Sequence, residues 1–345
     1  MAVVNLASKY SSQFEAAFAP NSYFNGKVST KYDFNGVNKL YIYSPELVEL
    51  NDYNRASAGN RFGTESELED TVQELTMSQD KSFVKRLDRG NFLDKQMAIS
   101  AANWLAEEIK GKATPTMEKY AVTQWVKNGG LVSAASAALT KSNITQELSN
   151  GITALDDAFV GENDRYMYIP ASTYNFILNS PEFTKLEGIG TQALSRGVVG
   201  MFMGANVVKL PSSYFPDGCL GFIGRKESML LPKKISSFTI IDNPEQFDGW
   251  LIRGHIYYDA FVIGGKANGI WTLCASGKQQ AAPTITYASS TITIASSGAG
   301  SILYTIDGGD PRYDKDAKVY TAGVSTASLE AGAHTVKAVA YGGSS

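Results

Sequence analysis

The chain has 345 residues, 43% of them apolar and 19% charged, with 31 basic against 34 acidic side chains and a formal net charge of −3. That is enough chain for two domains with ample cores, and the charge balance excludes a broad basic surface that would grip nucleic acid tightly. Two cysteines, Cys219 and Cys274, allow one disulfide but read first as buried thiols in a reducing compartment. Two histidines, His255 and His334, leave little for His-based catalysis or a zinc site.

Residues 1–36 read as an extended arm, with a short helix around Ser11 to Phe18. The opening MAVVNLASKYSSQF lacks a basic segment followed by an apolar core, so it does not read as a secretory signal. No run reaches the roughly 18 apolar residues of a membrane span. Residues 37–90 read as an extended β-hairpin: a strand over 37–47, a polar tip from Asn51 to Asp70, and a second strand from Thr71 to Leu87. Such a loop is unusual within a compact domain and makes more sense as an arm that packs on a neighbour.

The first strong helix is expected from Asn91, a capping residue, with Asp94 close to a capping-box position. Leu93, Met97, Ala101, Trp104, Leu105 and Ile109 recur at helical spacing. Thr114-Pro115 either restarts the helix or kinks one long one, and the pattern ends at Gly129-Gly130. The cleanest stripe is Ile144, Leu148, Ile152, Leu155 and Phe159, with Asn143 as its cap and Gly161 as its stop. A strand over Arg165–Pro170 and a helix over Ser172–Leu178 follow, then a Gly-rich loop over 187–204. Strands are expected at Val207–Leu210, Leu220–Gly224, Phe238–Asp242, Trp250–Tyr258 and Phe261–Gly264. The order is α+β rather than a repeating βαβ.

Residues 276–282 read as a linker between 91–275 and a small all-β module over 283–345. Short strands at Ile285–Tyr287, Thr291–Ala295, Ile302–Ile306, Val319–Tyr320 and Thr335–Tyr341 suggest a small sandwich. A separate unit on a linker should be removable without loss of assembly.

No motif carries chemistry. Gly188 to Ala193 matches GxGxxA, but no strand precedes it, so a flexible loop is the better reading. His255 and Asp259 sit four apart in a strand with no GxSxG nucleophile to complete a triad. Asp307, Asp310, Asp314 and Asp316 crowd one loop, where calcium is conceivable. Asp307-Gly308-Gly309-Asp310-Pro311 is first a turn sequence, however, and the twelve-residue ligand spacing is missing. No cofactor, metal or catalytic residue is assigned. An acidic run (Glu65, Glu67, Glu69, Asp70, Glu74) precedes a basic one (Lys81, Lys85, Arg86, Arg89). The two runs either pair across a solvated hairpin or dock one copy onto the next.

The order of elements resembles the major capsid proteins of tailed bacteriophages with the Hong Kong 97-like fold. YDFNGVNKLYIYSPELVELNDYNR (Tyr32 to Arg55) and ELTMSQDKSFVKRLDRGNF (Glu74 to Phe92) are similar to that family's extended loop. The region from Asn91 to Gly129 looks like its spine helix. ITALDDAFVGENDRYMYIPASTYNFIL (Ile152 to Leu178) resembles the peripheral-domain helix and its exit to the axial domain. GANVVKLPSSYFP (Gly204 to Pro216) and DGWLIRGHIYYDAFVIGGKANGIW (Asp248 to Trp271) resemble the late strands. ILYTIDGGDPRYDKDAKVYTAG (Ile302 to Gly323) resembles the immunoglobulin-like C-terminal domain of chitobiase-type glycosidases.

The resemblance implies a non-enzymatic subunit that self-assembles as pentamers and hexamers into an icosahedral shell around double-stranded DNA, held non-specifically. Portal and scaffolding proteins are implied partners. The small module would be displayed outside, with weak glycan contact. The chain would be made in the host cytoplasm and end in the virion. Some relatives cross-link a loop lysine to a neighbour's asparagine; Lys81 lies in the matching loop, with no partner identified. An encapsulin-like compartment shell, which shares the fold, and a secreted carbohydrate-binding protein are the alternatives.

Overall fold

A computed structural model describes residues 22–32, 34, 39–45, 50, 52–56, 59, 61–62, 70–90, 101–180, 198–242, 244–245, 248–327, 329, 332 and 334–342. The start of the expected arm, Asn91 with its capping pattern, and the GxGxxA stretch lie outside them.

The centre is a six-stranded mixed sheet. Its strands are β4 (Leu131–Ala134), β5 (Arg165–Pro170), β6 (Val198–Phe202), β7 (Ala205–Leu210), β8 (Cys219–Arg225) and β13 (Ile270–Cys274), in the order β4-β13-β8-β5-β7-β6. β4 runs parallel to β13 and β5 parallel to β7; the other pairs are antiparallel. Alternation along β5 feeds two cores. Met167 and Ile169 face α3 (Ile144–Asp157) and α4 (Ala171–Leu178), while Tyr168 faces α2 (Thr114–Asn128) beside Phe24, Trp125 and Phe222. Gly151 of α3 lies on the Trp271 ring: a Cβ there would come within 2.5 Å of it, so glycine is required.

The helix before α2 is continuous with it. α1 (Ala101–Glu108) passes through a π-turn, Ile109–Ala113, into α2. Pro115 has no N–H and its ring would crowd the carbonyl of Gly111. The wider turn relieves this, with the Thr114 N–H reaching back to the Ile109 carbonyl. In α3 the expected stripe holds for Ile144, Leu148, Ile152 and Leu155, which are buried. Phe159 is not part of it: the helix stops at Asp157, Phe159 turns to φ 56, and its side chain is 97% exposed. Asn143 does not cap α3. Its side chain accepts from Thr140 N–H (2.7 Å) and donates to Ala138 O (3.1 Å), shaping the preceding turn.

β1 (Lys39–Pro45) and β2 (Asp70–Thr76) form the expected antiparallel hairpin base, from Lys39 opposite Thr76 to Pro45 opposite Asp70. The expected second strand, however, is two strands in two sheets. It breaks at Met77, which is buried, and Ser78, whose N–H is held by Asp259 Oδ2 at 2.7 Å. β3 (Gln79–Asp88) then joins β10 (Lys233–Asp242) and β11 (Gly249–Tyr258) in a sheet ordered β10-β11-β3. β9 (Met229–Leu230) and β12 (Phe261–Val262) make a small pair. Part of the expected Gly-rich loop is strand β6, joined to β7 by a two-residue turn with Met203 at φ 44 and Gly204 at φ 82.

Residues 284–342 form two three-stranded sheets. One is β14 (Thr284–Ala288), β15 (Thr291–Ala295) and β18 (Val324–Ser325); the other is β17 (Lys318–Val319), β16 (Ala299–Ile306) and β19 (Val336–Gly342). Ile292, Ile294 and Tyr304 pack between them. The preceding segment is held down as well: Gln280 Nε2 donates to Ser296 Oγ at 2.9 Å, and Ser296 Oγ to Ala281 O at 2.7 Å.

Candidate assembly surfaces

β3 is an edge strand of ten residues, and none of its side chains is buried. Its side chains alternate between two faces. Phe83 lies over Gly254, its register partner, where a Cβ would come within 2.2 Å of the ring. The ring also stands 6.2 Å from both Trp104 and Phe238. Lys81 and Lys85 share the Phe83 face, opposite Ile256 and Ile252, and make no ion pair among the described residues. Arg86 points to the other face with Val84, which is 64% exposed, beside a shallow concavity lined by Ser82, Ser237, Thr239, Arg253 and His255.

Glu65, Glu67 and Glu69 lie outside the described residues. Asp70 opens β2, and Glu74 pairs with Lys39 at 2.5 Å within the hairpin, which holds its carboxyl below the usual range. Arg89 bonds Asp242 (3.2 Å) and Asp248 (3.3 Å) and stacks over Trp250. Glu74 and Arg89 thus pair within the chain, each with residues outside the opposite run, and Lys81 and Lys85 are exposed on β3.

What charge reasoning missed is apolar. Along the hairpin Tyr41 and Tyr43 stand outward, Tyr43 at 66% exposure. Near the tip Tyr53 and Phe62 meet edge to face at 5.0 Å, joined by an Asn54 N–H to Arg61 O bond of 3.1 Å, and Phe62 is 82% exposed. Exposed aromatics are the currency of protein–protein contacts. The signal was present in the Tyr and Phe of YIYSPELVELNDYNRASAGNRF, hidden among polar neighbours.

The remaining candidate residues have structural duties. His255 pairs with Asp80 across the sheet at 2.6 Å, while Asp259 is buried and accepts from Ser78 N–H and Tyr120 Oη (2.9 Å); the two do not meet. His334 pairs with Asp307. The loop carboxylates shape their own turn. Asp310 holds Arg312, and Asp314 accepts from the N–H of Gly309 (2.7 Å) and Asp316 (2.8 Å). Among the described residues no three His, Cys, Asp or Glu side chains are grouped to hold a metal. Cys219 and Cys274 are register partners on β8 and β13 and are both free; burial pushes the Cys219 thiol up to about 12.

No family model and no curated protein matches the chain. Its fold matches many solved structures. A chain of Mycobacterium phage Che8 superposes with a TM-score of 0.63 at 18% identity, covering 79% of this chain and 98% of that one. A chain of the bacteriophage PhiM1 mature capsid gives 0.60 at 13%, covering 79% and 93%. A chain from the capsid of the cyanophage P-SCSP1u gives 0.60 at 14%, covering 79% and 93%. At such identities the likeness is one of fold: this chain folds as phage capsid chains do.

Proposed function

We propose that the chain is a structural shell protein, the major capsid protein of a tailed bacteriophage with the Hong Kong 97-like fold. It assembles as pentamers and hexamers into an icosahedral shell that encloses double-stranded DNA. The observation that carries this reading is the near-complete coverage of the matched phage chains, 93% to 98% of their length, two of them named as capsid chains. The match leaves about a fifth of this chain over, close to the share taken by residues 283–345. That remainder is read as an immunoglobulin-like module displayed outside, with weak glycan contact. The β1–β2 hairpin is the arm that overlaps a neighbour, with its aromatics as anchors and Lys81 and Lys85 as charged partners for the acidic tip of another copy. Portal and scaffolding proteins complete the assembly in the host cytoplasm, and the final location is the virion.

Electron microscopy of the purified chain, together with its mass in solution, tests the reading. Closed shells, or rings of five and six, are expected. A monomer that stays monomeric when crowded and when co-expressed with candidate scaffolds would overturn it and shift weight to a binding protein.

A further inference from the structure

The turn over residues 310–316 touches two parts of the scaffold that lie far apart in sequence. The turn is rigid first. Tyr313 and Asp314 N–H both bond the Asp310 carbonyl (2.9 and 3.0 Å), and the Asp310 carboxylate accepts Arg312 N–H (3.0 Å), Nε (2.9 Å) and Nη2 (2.6 Å). The guanidinium is thereby aimed before it meets anything else, so little side-chain freedom remains to be lost on docking.

One contact is the C-terminal end of α2. Arg312 Nη1 donates to Gly129 O at 2.7 Å, and the Tyr313 hydroxyl donates to Asn128 O. Carbonyls at a helix C-terminus have no partner within the helix and sit at the negative end of its dipole, where a cation is favoured. Tyr341 adds a 3.3 Å bond to Asn128 Oδ1, and Lys127 lies over its ring at 4.9 Å. Tyr313 is buried and belongs to the same core cluster as Trp125 and Phe222. Its seat depends on Gly264, where a Cβ would stand 2.8 Å from that of Tyr313.

The other contact is the base of the hairpin. β2 pairs with β1 alone in its sheet, and on its other side Val72 O accepts the Lys315 N–H at 3.2 Å. The next residue, Gln73, is buried and spans to the body, donating to Val262 O and accepting from Gly264 N–H, both at 2.8 Å. Gly264 therefore contacts the hairpin through Gln73 and the module through Tyr313.

We infer that residues 310–316 form a brace: an interaction surface whose partner is the chain's own scaffold, locking the base of the hairpin to the end of α2. The module is then a structural strut that holds the arm at one angle. Its consequence for assembly rests on the shell reading above; the brace itself is a property of the single chain.

Hydrogen exchange on the full, unassembled chain tests it, and a chain that never forms shells leaves the test intact. Tyr313→Ala and Arg312→Ala are expected to speed exchange of the β1 and β2 amides by about fivefold to tenfold, the effect of losing one or two such bonds. The β5 amides should be unchanged. Lys318→Ala, on exposed β17, should change nothing in the hairpin. Hairpin amides at the wild-type rate in both brace variants would overturn the proposal. Should Tyr313→Ala unfold the module, seen as lost protection in β16 and β19, Arg312→Ala decides: faster hairpin exchange with a protected module supports the brace, and an unchanged hairpin overturns it.

Discussion

β5 and β3 are both strands of this one chain, yet they lead opposite lives. β5, RYMYIP, lies between β7 and β8 with five of its six side chains buried. β3, QDKSFVKRLD, bonds to a neighbour on one side only among the described residues and buries none of its ten. A strand saturated on both edges and both faces determines the fold. A long edge strand is a liability in a monomer, which proteins manage by charging or covering it. Here the first is visible: lysines and an arginine stand exposed on the strand. The difference teaches which strand the fold saturates from within and which it leaves with an open edge.

The comparison breaks most easily at the central sheet. Trp271→Ala should cost about 3–5 kcal/mol in denaturant unfolding, because the indole fills the space between α3 and the sheet and donates to Ser133 Oγ at 3.0 Å. A loss under about 1 kcal/mol would mean that the buried sheet is not what holds the chain together. Next is Asp156→Ala. It strips its ion pair from the Arg165 guanidinium, which is buried at the start of β5, and should cost about 1–3 kcal/mol.

Glu118 on α2 gives a pH test. Burial raises its carboxyl above the usual value, against the pull of the bonds it accepts from Ser22 Oγ (2.7 Å) and Tyr23 N–H (2.8 Å). The folded state therefore favours the protonated form. Its contribution is fully present below the unfolded carboxyl's range and is lost as pH rises through the folded value. Glu118→Gln keeps the accepting oxygen and should remove that decline, so the variant is the more stable at neutral pH. Parallel melting curves of the two proteins from pH 4 to 8 would sink the idea.

The smallest effect on folding sharpens the comparison from the other side. Lys81→Glu combined with Lys85→Glu should change unfolding free energy by under about 0.5 kcal/mol, since neither lysine makes an ion pair among the described residues. Sedimentation should nevertheless show impaired particle formation. A large stability loss would instead make β3 a structural strand like β5.

The sequence was most legible where one period dominated. The α3 stripe, the β1–β2 pairing and most strands of the small module followed from spacing and turn residues. It was least legible where a tertiary contact overrode local pattern. Nothing local says that the strand from Thr71 must break at Met77, because the break is made by Asp259, 181 residues on from Ser78. β4 and β13 were missed because each is short and is defined by its partner across the sheet. Phe159 kept the helical spacing but fell two residues beyond the helix end. At the candidate surface the charges were visible and their pairing was not. Arg89 meets Asp242 and Asp248 only because β10 and β11 bring those acids beside it.

The docked turn also bears on what a microscope would see. A module on a free tether adopts a different pose in every copy, and averaging over copies smears it to nothing. Here Arg312, Tyr313 and Lys315 fix one pose relative to the rest of the chain. In averaged images of any particle built from this chain, residues 284–342 should be as sharp as the residues they rest on, at one height and one tilt in every copy.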